Sequence, residues 1–284
     1  MLPTLSPRSH QRCSRRVEAR SSGVTTRVPD VTLDLDTRNP GHFLACCGLL
    51  ELAGRRWPES EGWFDDGQFH VVTRSRQTEL LGKLLDALLR GSPLVTPTID
   101  SARFEAKVAP LLLVSLDMRL DWWLGTGGTN PNVLKLWAGN QHPAGIIDGL
   151  QKACVAGLDD GSLRLVGPDQ VGVLRWRSRL TGRFGFDPRP AWNALDLGFS
   201  PNDQGLPVLT APVTELLGAI GLQGFRPQAA GSRTELIYSV WSRRLPLRVA
   251  RAAASGAFSD RRFRFEVSSR GRYKSFTYAE PVED

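Results

Sequence analysis

Asp34 and Asp36 share one face of the alternating run Val31-Thr-Leu-Asp-Leu-Asp36, and Asp65-Asp66 follow downstream. Carboxylates paired in this way hold the divalent cations of metal-dependent nucleases. No neighbouring residues complete a two-metal set, so solvent-facing strand and turn acids are the competing reading. Gly125-Thr-Gly-Gly-Thr-Asn-Pro131 has the composition of a loop that cradles phosphate. It lacks both the GxxxxGK(S/T) and the GxGxxG spacing, and the next lysine is Lys135. His42 falls at the start of an expected helix, where the dipole can poise a charge; capping or packing is the competing role. The four cysteines (13, 46, 47, 154) and four histidines (10, 42, 70, 142) have no metal-ligand spacing. They read as reduced thiols and dispersed imidazoles in a cytoplasmic chain, with Cys46-Cys47 buried on a helix. No GxSxG, HExxH or Cys–His–Asn pattern occurs. The sequence therefore assembles no catalytic set, and the expectation is a non-enzyme with no cofactor and no metal.

The cations carry more information. In Leu174-Arg-Trp-Arg-Ser-Arg-Leu180, Arg175, Arg177 and Arg179 share one side of an expected strand, and Arg183 extends the strip. In the last quarter Arg261, Arg262, Arg264, Arg270, Arg272 and Lys274 interleave with Phe263, Phe265 and Tyr273. One face of such a hairpin is core and the other a basic strip that can follow a phosphate backbone. The alternative is a solvated edge whose cations discourage aggregation. Asn130, Lys135, Asn140 and Gln141 around the glycine loop, and Asn202 in a long irregular stretch, offer further contacts to bases or phosphates.

Charge is distributed unevenly. The 284 residues carry 36 Lys+Arg against 29 Asp+Glu, for a net +7. Residues 1–28 account for +5, residues 29–225 for −4, residues 226–274 for +9 and the last ten for −3. Arginine dominates the basic quarter, which suits bidentate phosphate contact. Residues 1–28 read as a disordered basic arm rather than a secretory signal, because they lack an apolar core. No run is long and apolar enough for a membrane span.

These residues need positioning by local structure. Val31–Asp36 predicts a strand, Asn39 an N-cap, Pro40 a first helical position, and 41–57 a helix closed by Pro58. Residues 62–73 predict a hairpin turning at Asp66-Gly67, and 76–90 an amphipathic helix. Two or three strands are expected between Ile99 and Trp123, then a helical region over 133–156 broken near Pro143. A long strand or hairpin is expected at 172–186 and an irregular loop at 187–210. A helix at 212–222, a strand at 235–241, a helix at 246–255 and a hairpin at 261–278 complete the chain. The tryptophans at 122, 123, 137, 192 and 241 read as core or interface residues. The expected class is α+β, with mixed, largely antiparallel sheets and packed helices. Two lobes are expected, an N-terminal one at 29–160 and a strand-rich basic one at 161–284.

Several phrases act together beyond this. Leu35-Asp-Thr-Arg-Asn-Pro-Gly-His-Phe-Leu-Ala-Cys-Cys-Gly-Leu-Leu-Glu-Leu-Ala53 resembles the opening of a group of CRISPR-associated proteins of type I-U (I-G) systems. Leu120-Asp-Trp-Trp123, Leu134-Lys-Leu-Trp-Ala-Gly-Asn-Gln141, Asp187-Pro-Arg-Pro-Ala-Trp-Asn193 with its continuation to Asn202, and Arg270-Gly-Arg-Tyr-Lys-Ser-Phe276 are similar to that group in the same order. The resemblance spans about residues 31–278 and rests on the ordered set. It implies a large-subunit-like, non-catalytic component of an RNA-guided surveillance complex. Its implied partners are other effector subunits, guide RNA, target DNA and, transiently, a helicase-nuclease. The implied work is gripping target DNA and helping read its flanking motif. A metal-dependent nuclease or nucleotide-binding enzyme, and a purely structural small-subunit-like module, are the alternatives.

Overall fold

Val31 and Leu33 alternate with Thr32 and Asp34 in β1 (Val31–Asp34), and the apolar pair is buried. The Asn39 side chain then accepts hydrogen bonds from the Gly41 and His42 amides, and Pro40 opens α1 (Pro40–Arg56). The computed structural model describes residues 27–91, 93–95, 105, 107–125, 130–137, 141–190, 207–257, 260–270 and 273–283. The expected basic arm lies almost wholly outside these residues.

The sequence predicted one broad apolar face on α1. Instead every residue from Pro40 to Gly54 is buried. The cause is position: α1 is central, with the hairpin β2 (Glu61–Asp65) and β3 (Gln68–Val72) on one side and helix α4 (Pro212–Gly224) on another. Asp66 and Gly67 turn that hairpin with φ of 36° and 77°, as a tight two-residue turn requires. Its sheet runs β1-β3-β2-β11, all antiparallel, with β11 at Leu245–Pro246.

Helix α2 (Leu80–Leu89) starts later than its apolar periodicity suggests, because Arg76 and Glu79 have φ of 37° and 57°. Strands β4 (Pro93–Val95), β5 (Leu111–Leu113) and β6 (Met118–Leu120) form a small antiparallel sheet. Helix α3 (Pro143–Asp159) begins ten residues after the expected Val133. Asn132 explains the delay: its side chain donates to the Trp122 and Leu124 carbonyls and accepts from the Leu134 amide, which fixes a turn.

The long strand expected at 172–186 does not form. Val173 and Leu174 are both buried, which breaks a two-residue alternation. The Leu174 carbonyl is also taken by Arg189 and Thr214 side chains rather than by a ladder. Pro168–Arg175 is a 3-10 helix, and only β7 (Ser178–Leu180) is strand, paired with β8 (Val208–Thr210).

The last sheet contains β9 (Gln228–Ala230), β10 (Ser232–Val240), β12 (Arg261–Arg270), β13 (Tyr273–Phe276) and β14 (Glu280–Pro281), with α5 (Leu247–Ala254) against β10. The protein is α+β with antiparallel sheets. Helix α1 packs on α4, and one hydrophobic cluster runs from Val31 to Ala279. Aromatic pairs connect Trp137 to Phe184 and Phe186, then Phe276, Phe265, Tyr238, Phe43, Phe64 and Trp241. Trp122, Trp123, Trp137 and Trp241 are core as expected, whereas Trp192 lies outside the described residues. No helix among the described residues is long and apolar enough to cross a membrane.

Candidate nucleic-acid interface

A buried polar network joins Asp187, Arg189, Asn39 and Glu215. Asp187 accepts two hydrogen bonds at its carboxylate from the Arg189 Nε, at 2.9 and 2.8 Å, and one from Nη2 at 2.6 Å. It also accepts from the Asn39 amide at 3.0 Å, which couples the 182–189 segment to the cap of α1. Burial opposes the Asp187 charge, but the Arg189 bonds and attraction outweigh it and hold the carboxyl below its usual range. Glu215 of α4 accepts from the Gly185 and Asp187 amides at 2.9 and 3.2 Å. Complete burial pushes its pKa up to about 7, with Arg183 acting in opposition.

Arg183 was expected on the arginine strip. It is 3% exposed, lies in the fields of Glu215 and Asp187, and so is a structural counter-charge rather than a surface contact. His42 accepts from the Asp36 amide at Nδ1, leaving Nε2 buried without a hydrogen-bond partner. Burial, then repulsion from Arg189, pushes its pKa down to about 4. The packing reading of His42 therefore holds.

Three segments bring lysines near one another. The Trp137 indole donates to the Lys107 carbonyl at 3.0 Å, and Lys135 Nζ donates to the Trp137 carbonyl at 2.8 Å while lying 5.3 Å from the indole centroid. Gly185, with φ of 95°, stands between Leu136 and the Lys274 backbone. Partial burial, then Lys274 and Lys107, lower the Lys135 pKa, with Glu105 acting in opposition. Lys135 and Lys274 were expected from sequence to contact nucleic acid, but in separate places; Lys107 was missed. Nothing in its local pattern marks it, because its position is set by Trp137, thirty residues later.

Arg175, Arg177 and Arg179 remain on the exposed side of their segment although only 178–180 is strand. Arg177 is within the field of Tyr278, which is 39% exposed and was not anticipated. Burial and then Asp187 push the Tyr278 hydroxyl up. An exposed ring is a platform on which a base can stack. From Lys274 to Tyr278 the chain spans at most ~13 Å at ~3.3 Å per residue, so the ring lies within reach of the lysine group.

On β12 the alternation is as predicted, with Phe263, Phe265 and Val267 inward and Arg262 and Arg264 outward. Arg264 is partly committed to Glu235 at 3.2 Å. Arg261 lies 5.9 Å from the Phe263 centroid, and Arg262 borders a recess of about 350 Å³ with Gln228, Ser239 and Ser255. Asn130 is exposed, and its carbonyl closes the base of the glycine loop by accepting from Gly125 at 2.7 Å. Gln141 is half-buried and donates to the Thr181 carbonyl. Residues 126–129, Asn140, Asn202, Arg272 and the side chain of Arg270 lie outside the described residues.

The acids weighed as metal ligands have other partners. Asp34 accepts from Gln68, Asp36 from the Arg38 amide, and Asp66 turns the β2–β3 hairpin. No group of three or more His, Cys, Asp or Glu that could hold a metal ion occurs among the described residues. Cys46, Cys47 and Cys154 are buried free thiols, and burial pushes Cys154 up to about 12. No protein-family model matches the chain, and no curated protein matches it.

Proposed function

We propose that this chain is a non-catalytic, nucleic-acid-binding subunit of a CRISPR RNA-guided surveillance complex of type I-U (I-G). The observation that carries the binding half of this reading is the convergence of Lys107, Lys135 and Lys274, the last of them four residues before the exposed Tyr278 ring. Like charges gathered at a protein surface raise one another's free energy, and an anion relieves it. A phosphodiester backbone supplies anions at the matching scale, and Tyr278 supplies a stacking face. The surveillance-complex half rests on the ordered sequence phrases. In such a complex base pairing reads sequence, while protein grips backbone and a short flanking motif. Guide RNA, target DNA, sibling subunits and a transient helicase-nuclease are the proposed partners, in the cytoplasm.

Co-expression with the neighbouring operon products and a guide RNA tests the whole reading. Copurification as one complex is expected, and its loss of target-DNA binding when Arg175, Arg177 and Arg179 become Glu. A chain that stays free of RNA and of every sibling protein defeats the assignment.

A further inference from the structure

We propose that the open trough between the last turn of α1, helix α2 and the Val114–Leu116 turn docks an acidic, amphipathic segment of a partner protein. The trough encloses about 680 Å³. Its floor is apolar: Leu52 from α1, Leu84 from α2, and Val114, which is 51% exposed. Trp57, in extended conformation after α1, forms one end.

The lip is cationic. Arg56 is exposed and has no ion pair among the described residues, and Lys83 meets only the Gln77 amide oxygen, at 3.5 Å. Arg55 is held by Glu51 at 3.0 Å, and Asp117 is the one acid lining the trough. Lys83 and Ala87 are four apart on α2, and Leu52 and Arg56 four apart on α1, so each helix presents an apolar residue and a cation along the same line.

Shape and charge together select the occupant. A small-molecule site buries ~70–90% of its ligand's surface, whereas this trough is open to solvent, with Val114 in its floor 51% exposed. A nucleic-acid strand would find two or three cations but a largely aliphatic floor, with Trp57 the one aromatic residue in the lining. A helix or extended segment with apolar anchors at i and i+3 or i+4, flanked by carboxylates, satisfies floor and lip at once. The trough lies on segments distinct from those carrying the lysine and arginine groups, so this proposal stands whether or not the nucleic-acid reading does.

Fluorescence anisotropy with the full chain tests it. The probes are a fluorescein-labelled Leu/Glu peptide of about four helical turns and its Leu/Lys counterpart. The acidic peptide is expected to saturate, with the basic one at least about tenfold weaker. Arg56→Glu with Lys83→Glu should invert that preference, and Val114→Asp should weaken both peptides. All three positions are exposed, and unchanged thermal unfolding confirms that the variants fold. Equal binding of the two peptides, no binding, or variants indistinguishable from wild type overturns the proposal. So does displacement of the peptide by a single-stranded oligonucleotide, or self-association abolished by the same variants, which would make the occupant nucleic acid or a second copy.

Discussion

Gly48 of α1 and Gly221 of α4 meet backbone to backbone. A Cβ on Gly221 would stand 3.0 Å from the Gly48 nitrogen and would collide with the Leu44 carbonyl; one on Gly48 would collide with the Leu217 carbonyl. The two helices therefore cross at a separation that admits no side chain.

Gly48→Ala tests this contact by its sign. In an exposed helix interior the change stabilises by about 1 kcal/mol. Here it must push two buried helices apart, and overpacking costs about 1–3 kcal/mol or more. A lower urea midpoint is expected, and a higher one would contradict the close crossing.

Replacing Lys107, Lys135 and Lys274 singly by Met should weaken single-stranded DNA binding without selecting among sequences. Each substitution should lower the slope of log affinity against log salt by about 0.7. Filter binding across a salt series measures it. Slopes unchanged in all three variants would remove the lysine cluster from the interface.

Asp187 and Arg189 should behave as a unit. Asp187 is fully buried, Arg189 is 16% exposed, and removing either leaves the other desolvated. Asp187→Ala is expected to cost about 3–5 kcal/mol. The double change with Arg189→Ala should cost less than the sum of the single losses. Denaturant unfolding of the four proteins completes the cycle.

Acid and base behaviour of the network has opposing arms. Glu215 has a folded pKa of about 7 against an ordinary value of 4.5, so its contribution is full below the lower value and is lost as pH rises through the higher one. His42 has a folded pKa of about 4 against 6.5, so its contribution is present above 6.5 and is lost as pH falls toward 4. Between about pH 4.5 and 6.5 the two slopes, each on the order of 1.4 kcal/mol per unit, oppose and nearly cancel. Glu215→Gln should expose the His42 arm, so that stability rises with pH over that window. Thermal unfolding from pH 4.5 to 7.5 reads both profiles.

Local signals located most elements. Asn39 and Pro40 mark the start of α1, Asp66-Gly67 marks a hairpin, and alternation of Phe263, Phe265 and Val267 marks a buried strand face. Each is decided within a few residues. The failures have a common cause. Val173 and Leu174 leave the strand pattern because Arg189 and Thr214 compete for one carbonyl, and Arg183 turns inward because Glu215 waits there. Lys107 joins Lys135 through a distant indole. These placements are tertiary, and spacing along the chain does not encode them. The burial of α1 on all sides from Pro40 to Gly54 was likewise hidden, since its covering helix lies far downstream.

That distance bears on how the protein is made. Roughly 155 residues separate Arg56 from Pro212, and at ~5–20 residues per second a ribosome needs on the order of 10–30 s to bridge them. Throughout that interval α1 has emerged with the face around Leu44 and Gly48 uncovered. The centre of the fold closes only when a helix some 155 residues downstream has been made.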